Sequence, residues 1–273
     1  MRMVDLSFIR KMWTRIQEDE VPALAAQLAY FLLLSLFPLL IFLFSFISYL
    51  PLTDQDFISF IGSYFPGETA AFIESNLTDV MGKDFTLLSF GAVATLWTAS
   101  KGIDAVVRSF NKAYRVKETR SYLKERMMSL VATIAMIFVF ILALVLPVFG
   151  KHIGEITFSH FGLKSEFLEV WNTLRWLISF SVLFLVFTNL YWIGPNKKLT
   201  CISVVPGALF STVGWVTASW LFSFYVENYG QYAALYGKIA GVIILLLWLY
   251  LTAYIIILGG EVNAYFSEKQ EDC

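Results

Sequence analysis

Long stretches without a charged residue alternate with short charged segments along this chain of 273 residues. A transmembrane helix needs about 20 largely apolar residues, and the charge-free stretches reach or approach that length. They predict an all-α integral membrane bundle of six transmembrane helices, at residues 21–53, 85–100, 127–150, 176–196, 199–226 and 239–260. The second is the shortest, but the side chain of Lys101 can extend to the interface and so lengthen the span.

The segment after the second span, residues 101–126, becomes basic and is predicted to be an amphipathic helix. Apolar side chains recur at helical spacing at Ile103, Val106, Val107, Phe110 and Tyr114. The opposite face carries Lys101, Asp104, Arg108, Asn111, Lys112 and Arg115. Such a helix either anchors the protein, because positive residues favour the cytoplasmic side of the membrane, or interacts with an anionic lipid headgroup. RNA binding is a weaker third reading, because no RNA-binding module accompanies the cations.

Two more amphipathic segments are predicted beside the spans. Residues 1–20 predict a cytoplasmic helix that either lies on the membrane surface or packs on the protein. Residues 54–84 are acidic and aromatic and predict two short helices over the extracytoplasmic mouth. We therefore interpret the chain as a single membrane domain, residues 1–273, made of an N-terminal helix (1–20), a six-span bundle (21–267) and a cytoplasmic tail (268–273).

Composition and charge support this architecture and add an orientation. Hydrophobic residues make up 58% of the chain and charged residues 15%, whereas soluble domains carry about 25% charged residues. With the N-terminus in the cytoplasm, fifteen of the twenty Lys and Arg residues fall in cytoplasmic segments. Because positive residues favour the cytoplasmic side, both the N-terminus and the C-terminus are predicted to be cytoplasmic.

Three stretches of the sequence resemble a known family. They are "PALAAQLAYFLLLSLFPLLIF" (22–42), "LWTASKGIDAVVRSFNKAY" (96–114) and a long segment, 206–266, that begins "PGALFSTVGW". Together they resemble the YihY/BrkB family of bacterial inner-membrane proteins, formerly labelled ribonuclease BN. The resemblance implies six spans and a location in the bacterial cytoplasmic membrane. It implies no agreed activity, although members have been linked to virulence, to serum resistance and to the movement of envelope lipids.

The residues themselves do not favour the old ribonuclease label. A metal-dependent phosphodiesterase needs several carboxylates or histidines around one or two ions. The chain has two histidines, His152 and His160, in a loop predicted to lie outside the cell. Zinc-protease, nucleotide-binding and serine-hydrolase motifs are all missing. We therefore predict no enzyme activity, no catalytic residues, no metal site, no cofactor and no nucleic-acid partner.

Polar side chains inside spanning helices mark candidate functional positions, because they are costly in lipid. The first span carries Gln27, Tyr30, Ser35 and Pro38, and the second ends in Trp97 and Ser100. The sixth carries Tyr250, Tyr254, Glu261 and Asn263. With the basic positions Lys101, Arg108, Asn111, Lys112 and Arg115, these are the candidate substrate-binding or lipid-binding residues.

Glu261 poses a specific question, because a carboxylate near a helix C-terminus is disfavoured by the helix dipole. Either it reaches the cytoplasm or it pairs with a cation at the same depth. Lys101 is the predicted partner, with Asn263 or Ser100 able to bridge the two. A structural clamp and a functional gate both fit such a pair.

These features favour a multi-pass membrane protein that transports or exports a lipid or another amphiphile of the cell envelope. The alternative is a non-transporting scaffold or accessory subunit in envelope assembly. The expected partners are membrane lipids, with anionic headgroups as the candidates for the basic segment. A homo-oligomer and envelope-assembly partners stay open.

Overall fold

The computed structural model describes residues 6–47, 85–121, 123–124, 126–134, 165–229 and 239–271. All regular elements in these ranges are helical. They are α1 (Leu6–Glu18), α2 (Val21–Ile47), α3 (Phe85–Ala113), α4 (Ser165–Ile193), a 3-10 turn (Cys201–Val204), α5 (Val205–Tyr229) and α6 (Ala240–Glu271). Residues 126–134 are helical as well. The prediction of an all-α chain is confirmed for this part of the sequence.

Four helical segments are long and apolar enough to cross a membrane. They are Val21–Phe42, Trp176–Ile193, Cys201–Val226 and Ala240–Glu268, and they match the first, fourth, fifth and sixth predicted spans. The second predicted span lies in α3, whose charge-free part ends at Ser100 and is shorter than the about 20 residues that a bilayer needs. Most of the third span, and the predicted helices of 54–84, lie outside the described residues.

Contacts between residues divide the chain into two compact units. The first comprises Met1–Tyr30 and Ser100–Cys273, and the second comprises Phe31–Ala99. The single domain expected for 1–273 stays a prediction.

The core of the first unit is the packing of α5 against α6 and of α4 against α5. Gly259 of α6 faces α4 and α5 so closely that a methyl group there would meet the hydroxyls of Tyr191 and Ser211. Those two hydroxyls are 2.6 Å apart, and Tyr191 also donates to the Ile256 carbonyl at 2.8 Å. Small residues in this interface therefore let three backbones approach and bring their polar groups together.

In the second unit, a glycine again sets the closest approach of two helices. A methyl group on Gly91 of α3 would meet the backbone of Phe42 in α2. α2 stays helical across Pro38, and Ser35 donates to the Leu32 carbonyl at 2.7 Å. Pro38 has no N–H, so the Leu34 carbonyl lacks its usual helical donor, and the Ser35 hydroxyl bonds to a different carbonyl.

α3 ends in a cap whose left-handed residue is Arg115 rather than glycine. Val116 N–H donates to the Asn111 carbonyl at 2.9 Å, and Arg115 N–H donates to the Lys112 carbonyl at 3.0 Å. Arg115 has a φ of 53°, as the residue after a helix has in a Schellman cap. This cap turns the chain sharply and leaves Tyr114 buried.

Candidate functional site

Charged side chains are buried where α1 packs against the end of α6. Arg15 Nε donates to Glu261 Oε2 at 3.0 Å, and Nη1 donates to Glu268 Oε2 at 2.9 Å. Its Nη2 donates to the Ala113 carbonyl at 2.6 Å. The side chains of Arg15 and Glu261 are only 6% and 1% exposed. One guanidinium therefore joins α1, the end of α3 and α6.

α1 reaches this position because one of its faces packs on α6. The Phe8 ring lies 5.0 Å from the Tyr265 ring, and Arg15 follows Phe8 by seven residues, or two helical turns. The opposite side carries Ile9 and Trp13, which are 57% and 65% exposed. α1 therefore packs on α6 with one side, and an apolar side of α1 is exposed; its place on the membrane surface stays a prediction.

Two further polar residues complete what we call the Arg15 cluster: Arg15, Asp19, Tyr114, Glu261 and Glu268. Asp19 is buried and lies one helical turn after Arg15, just past the end of α1. Three buried oxygens of the cluster receive no hydrogen bond from the described residues: Asp19 Oδ2, Glu261 Oε1 and Tyr114 Oη. Buried polar atoms usually have a partner, and the described residues supply none for these three oxygens.

Two members of the Arg15 cluster, Arg15 and Tyr114, lie outside the spanning segments, and their surroundings determine their charge states. Burial alone lowers the pKa of Arg15, but hydrogen bonds and attraction to Glu261 and Glu268 outweigh burial and raise that pKa. Burial raises the pKa of Tyr114. Arg15 is therefore a fixed positive charge, and Tyr114 is a neutral hydroxyl.

The predicted contact between Glu261 and Lys101 is wrong, since the cation that pairs with Glu261 is Arg15. Arg15 also binds the carbonyl of Ala113, which lies twelve residues after Lys101 in the same helix. At a rise of 1.5 Å per residue, Lys101 lies about 18 Å from Ala113 along α3. The partner comes instead from α1, at the opposite end of the sequence.

Asn263 does not bridge these charges either. Its Oδ1 accepts from the Gly207 N–H at 2.6 Å, so it satisfies a backbone donor in the first turn of α5. Its side chain is fully buried, and Nδ2 has no hydrogen-bond partner among the described residues. Asn263 therefore positions α5 against α6.

Several cations of the basic segment are paired with acids of this chain. Lys112 contacts Glu20 at 2.9 Å, and Arg115 contacts Glu18 at 3.4 Å. The hydrogen bond and the charge of Lys112 lower the pKa of Glu20. These pairs fasten the end of α3 to the turn between α1 and α2.

The side chain of Asn111 connects the segment after α3 to the turn after α4. Its Nδ2 donates to Glu118 Oε2 at 2.7 Å, and its Oδ1 accepts from the Asn196 N–H at 2.7 Å. Arg120 donates to the Pro195 carbonyl at 2.9 Å in the same turn. The buried Asn111 side chain thus holds the segment after α3 against the turn after α4.

The polar face predicted for the basic segment is only partly exposed. Asp104 is buried and pairs with the buried Arg126 at 3.0 Å. Lys101 is half-buried, whereas Arg108 is exposed. Asp104 and Asn111 of the predicted polar face are therefore buried, and the assignment of Asn111 to a lipid-binding site stays a prediction.

The other candidates in the first unit lie apart from the Arg15 cluster contacts. Gln27 and Tyr30 are exposed on α2. Ser100 is fully buried. Tyr250 and Tyr254 pack against each other with ring centroids 6.1 Å apart.

Three candidates belong to the second unit. Ser35 is buried, Pro38 is half-buried and Trp97 is 55% exposed. Their assignment to a binding site stays a prediction.

An apolar groove of about 380 Å³ lies between α3, residues 126–134 and α4. It is lined by Ile103, Val107, Met128, Ala132, Val182, Leu185, Val186, Asn189, Leu190, Ile193 and Gly194. Arg120 lies at one end, because its Nη1 contacts the Gly194 carbonyl at 3.3 Å and Met128 Sδ at 3.1 Å. The groove therefore combines an apolar lining with one guanidinium at its end.

Arg15, Asp19 and Tyr114 were not among the residues selected from the sequence. The helix at residues 1–20 is predicted from the helical spacing of Leu6, Ile9, Trp13 and Ile16, which describes one side of α1 and not the other. Phe8, Arg15 and Asp19 recur there at helical spacing. A charged residue in register with an aromatic one was the available signal.

Comparisons with known proteins find relatives over nearly the whole chain. The model of a family described as virulence factor BrkB matches residues 12–272. The chain is 45% identical to a protein of Bacillus subtilis (strain 168) named putative ribonuclease-like protein YfkH, over 97% of both chains. It is 29% identical to a UPF0761 membrane protein of Tolumonas auensis, over 94% of this chain and 84% of that one. No solved structure matches.

Proposed function

The chain belongs to the virulence factor BrkB family, and from this premise we propose that it transports or exports a lipid or another amphiphile of the cell envelope. Its place would be the bacterial cytoplasmic membrane, with both termini in the cytoplasm. The Arg15 cluster would then lie at the cytoplasmic end of the first unit.

The observation that carries the proposal is the apolar groove beside α4. Its volume of about 380 Å³ lies in the range of roughly 300–1,000 Å³ that is usual for small-molecule sites. Leu185 and Ile193 line it and are 56% and 50% exposed, so the groove is open along one side. An acyl chain suits such a lining, because it offers no polar group that needs a partner.

The polar groups at the end of the groove suit the polar headgroup of an amphiphile. Arg120 lies there with a side chain that is 15% exposed. Asn189 adds a polar side chain to the lining. An amphiphile with its tail in the groove would place its headgroup at the Arg120 end, near Lys117, whose carbonyl accepts from Asn196 at 3.0 Å and whose side chain is exposed.

A second candidate function, a non-transporting scaffold or accessory subunit in envelope assembly, is favoured by the close packing around Gly259. A methyl group there has no room beside Tyr191 and Ser211, so α4, α5 and α6 pack as a tight unit. The pairing of Lys112 and Arg115 with Glu20 and Glu18 also gives part of the basic segment a structural role.

The test is lipid movement in proteoliposomes made with the full chain. We expect the wild type to accelerate exchange of a fluorescent phospholipid between leaflets relative to protein-free vesicles. Ala132→Trp would fill the groove and return the rate to that of empty vesicles. Val131→Trp, at a position that is 62% exposed and does not line the groove, is the matched control and should keep the wild-type rate.

Two outcomes would contradict the transport proposal. One is a wild-type rate equal to that of empty vesicles for phospholipids of each headgroup charge. The other is equal loss in both tryptophan variants, since that would reflect general damage by a bulky residue. Either result would leave the scaffold as the better account.

A further inference from the structure

We propose that α1 binds the membrane surface with one side while it packs on α6 with another, and that its partner on the membrane side is a bilayer interface with anionic headgroups. The sequence left these two placements as alternatives, whereas the contacts of α1 leave room for both at once. The proposal goes beyond lipid transport and does not depend on it.

The connection to α2 places the end of α1 at the boundary of the membrane. Only Asp19 and Glu20 separate Glu18, the last residue of α1, from Val21, where the first candidate span begins. Glu20 has a φ of 54°, and a left-handed residue after a helix turns the chain away from the helix axis. α1 therefore ends beside the start of a span and does not extend it.

The contact with α6 gives the same depth. The candidate span Ala240–Glu268 has 29 residues, or about 43 Å of helix, whereas the hydrocarbon core is about 30 Å thick. Its last turns, where charged residues follow the apolar run, therefore extend into the headgroup region. α1 contacts α6 in these turns, since Phe8 packs on Tyr265 and Arg15 binds Glu268.

The side chains of α1 form three sectors around the helix axis. Successive residues are about 100° apart, so Arg15 and, just past the helix, Asp19 lie within about 20° of Phe8. Both are buried, and this sector packs on α6. Ile9 and Trp13 lie about 100° and 140° from Phe8 and are 57% and 65% exposed. The apolar sector is therefore next to the α6 contact and outside it.

The third sector is polar. Lys11 and Thr14 lie about 60° and 120° from Phe8 in the opposite sense, and both are exposed. A helix that lies on a membrane beside a protein needs this order of sides, one for the protein, one for the acyl boundary and one for water. Trp13 suits the second side, because tryptophan is enriched at membrane interfaces.

The charge of α1 is complementary to anionic headgroups. The two acids at its end, Glu18 and Glu20, are paired with cations at the end of α3. Arg10 and Lys11 are exposed, and Arg10 lies about 60° from Trp13, at the edge of the apolar sector. A long cationic side chain at such an edge can reach the headgroups while the apolar residues lie below them. Its attraction to anionic lipid adds to the burial of apolar surface.

A lipid surface suits the apolar sector better than a protein partner does. A stable protein–protein interface takes about 20–30 residues a side. The apolar sector offers Ile9, Trp13 and the half-buried Ile16, which is too little for such an interface. The same few residues are enough to insert into the boundary between headgroups and acyl chains, because the spans already hold α1 at that depth.

Spin labels on the full chain in lipid nanodiscs test the proposal. In a background with Cys201→Ser and Cys273→Ser, the label is attached through Ile9→Cys, Trp13→Cys or Thr14→Cys. Oxygen relaxes labels in lipid, and a water-soluble nickel chelate relaxes labels in water. In discs that contain phosphatidylglycerol, we expect the ratio of oxygen to nickel relaxation to be several-fold higher for Ile9→Cys and Trp13→Cys than for Thr14→Cys. Thr14→Cys is the matched control, one residue from Trp13 on the polar sector.

The preference for anionic headgroups has its own comparison. Replacing phosphatidylglycerol by phosphatidylcholine should lower the oxygen-to-nickel ratio of labelled Trp13→Cys. Arg10→Gln should weaken this dependence on the lipid, and Arg10→Lys should keep it because it keeps the charge. An equal ratio in the two lipids would overturn the assignment to anionic headgroups.

Two other results would overturn membrane binding itself. Stronger relaxation by nickel than by oxygen for both Ile9→Cys and Trp13→Cys would place the apolar sector in water. Protection from both reagents would mean that protein covers it, and spin–spin broadening between two chains in one disc would identify a second copy. Both substitutions alter exposed side chains outside the α6 contact, so the fold should survive them.

Discussion

Arg15 Nε lies 3.0 Å from Glu261 Oε2, although the two residues are 246 positions apart in the sequence. Both side chains are almost fully buried. A buried ion pair has a large desolvation penalty, so its net contribution is modest, whereas removal of one partner leaves an isolated buried charge. The pair therefore determines which arrangement of α1 and α6 is stable.

Replacing the cation of this pair should be strongly destabilising. We expect Arg15→Met to lower the free energy of unfolding by about 3–5 kcal/mol, because Glu261 would lose its counter-charge in a buried place. Equilibrium unfolding in mixed micelles measures this. Arg10→Met, at an exposed position of the same helix, should change stability by less than about 0.5 kcal/mol. Equal effects of the two variants would contradict the pairing.

Energetic coupling should distinguish Arg15 from Lys101 as the partner of Glu261. In a double-mutant cycle, Arg15→Gln and Glu261→Gln should couple by at least about 0.5 kcal/mol, since their groups are in contact. Lys101→Gln and Glu261→Gln should be additive, because Lys101 lies about 18 Å along α3 from Ala113, the residue that contacts Arg15. Coupling in the Lys101 cycle alone would restore the partner predicted from sequence.

Two glycines of α6 should respond in opposite ways to a methyl group. Gly259→Ala should destabilise the fold by about 1–3 kcal/mol through overpacking, since its methyl would meet Tyr191 and Ser211. Gly241→Ala has no atom within 4 Å of its methyl and should be neutral or stabilising by up to about 1 kcal/mol. Thermal unfolding of the two variants provides the comparison. A Gly259→Ala variant as stable as the wild type would show that the three helices are not closely packed there.

The left-handed conformation of Arg115 should favour glycine over alanine. Both Arg115→Gly and Arg115→Ala remove the contact with Glu18, so their difference isolates the backbone. With φ at 53°, the glycine variant should be the more stable by about 1 kcal/mol. The reverse order in equilibrium unfolding would mean that α3 continues past Ala113.

The contact between Lys112 and Glu20 should depend on pH in one direction. Lys112 lowers the pKa of Glu20 from its ordinary value of 4.5 in the folded protein. The contact therefore contributes fully above pH 4.5 and is lost as the pH falls through the lowered pKa. The stability difference between wild type and Glu20→Gln should shrink on acidification and with added salt. In a Lys112→Gln background, the same substitution should show no such dependence.

Hydrophobic patterning predicted where the helices lie better than which residues meet. The apolar stretches at 21–53, 176–196, 199–226 and 239–260 each overlap a helical segment that is long and apolar enough to cross a membrane, because the length of a span follows from the thickness of the bilayer. Lys101 is the partner that the sequence predicts for Glu261, because it lies at the cytoplasmic end of the second span, at the same expected depth. Depth, however, does not specify a neighbour.

The contacts of charged residues were harder to predict for a physical reason. A charge on a helix usually indicates a solvated face, but Asp104 is buried because Arg126 neutralises it. Asn111 is buried because a carboxylate and a backbone N–H satisfy both ends of its amide. These partners come from other segments, and helical periodicity contains no information about them.

The wide separation of Arg15 and Glu261 in sequence also sets an order of events during synthesis. Ribosomes add about 5–20 residues per second, so the 246 residues between the two take on the order of 10–50 s. Throughout this interval α1 already exists, while the carboxylates that bind its arginine have yet to be made. Products that stop before α6 lack both carboxylates that bind Arg15, so its guanidinium has neither of these ionic partners in them.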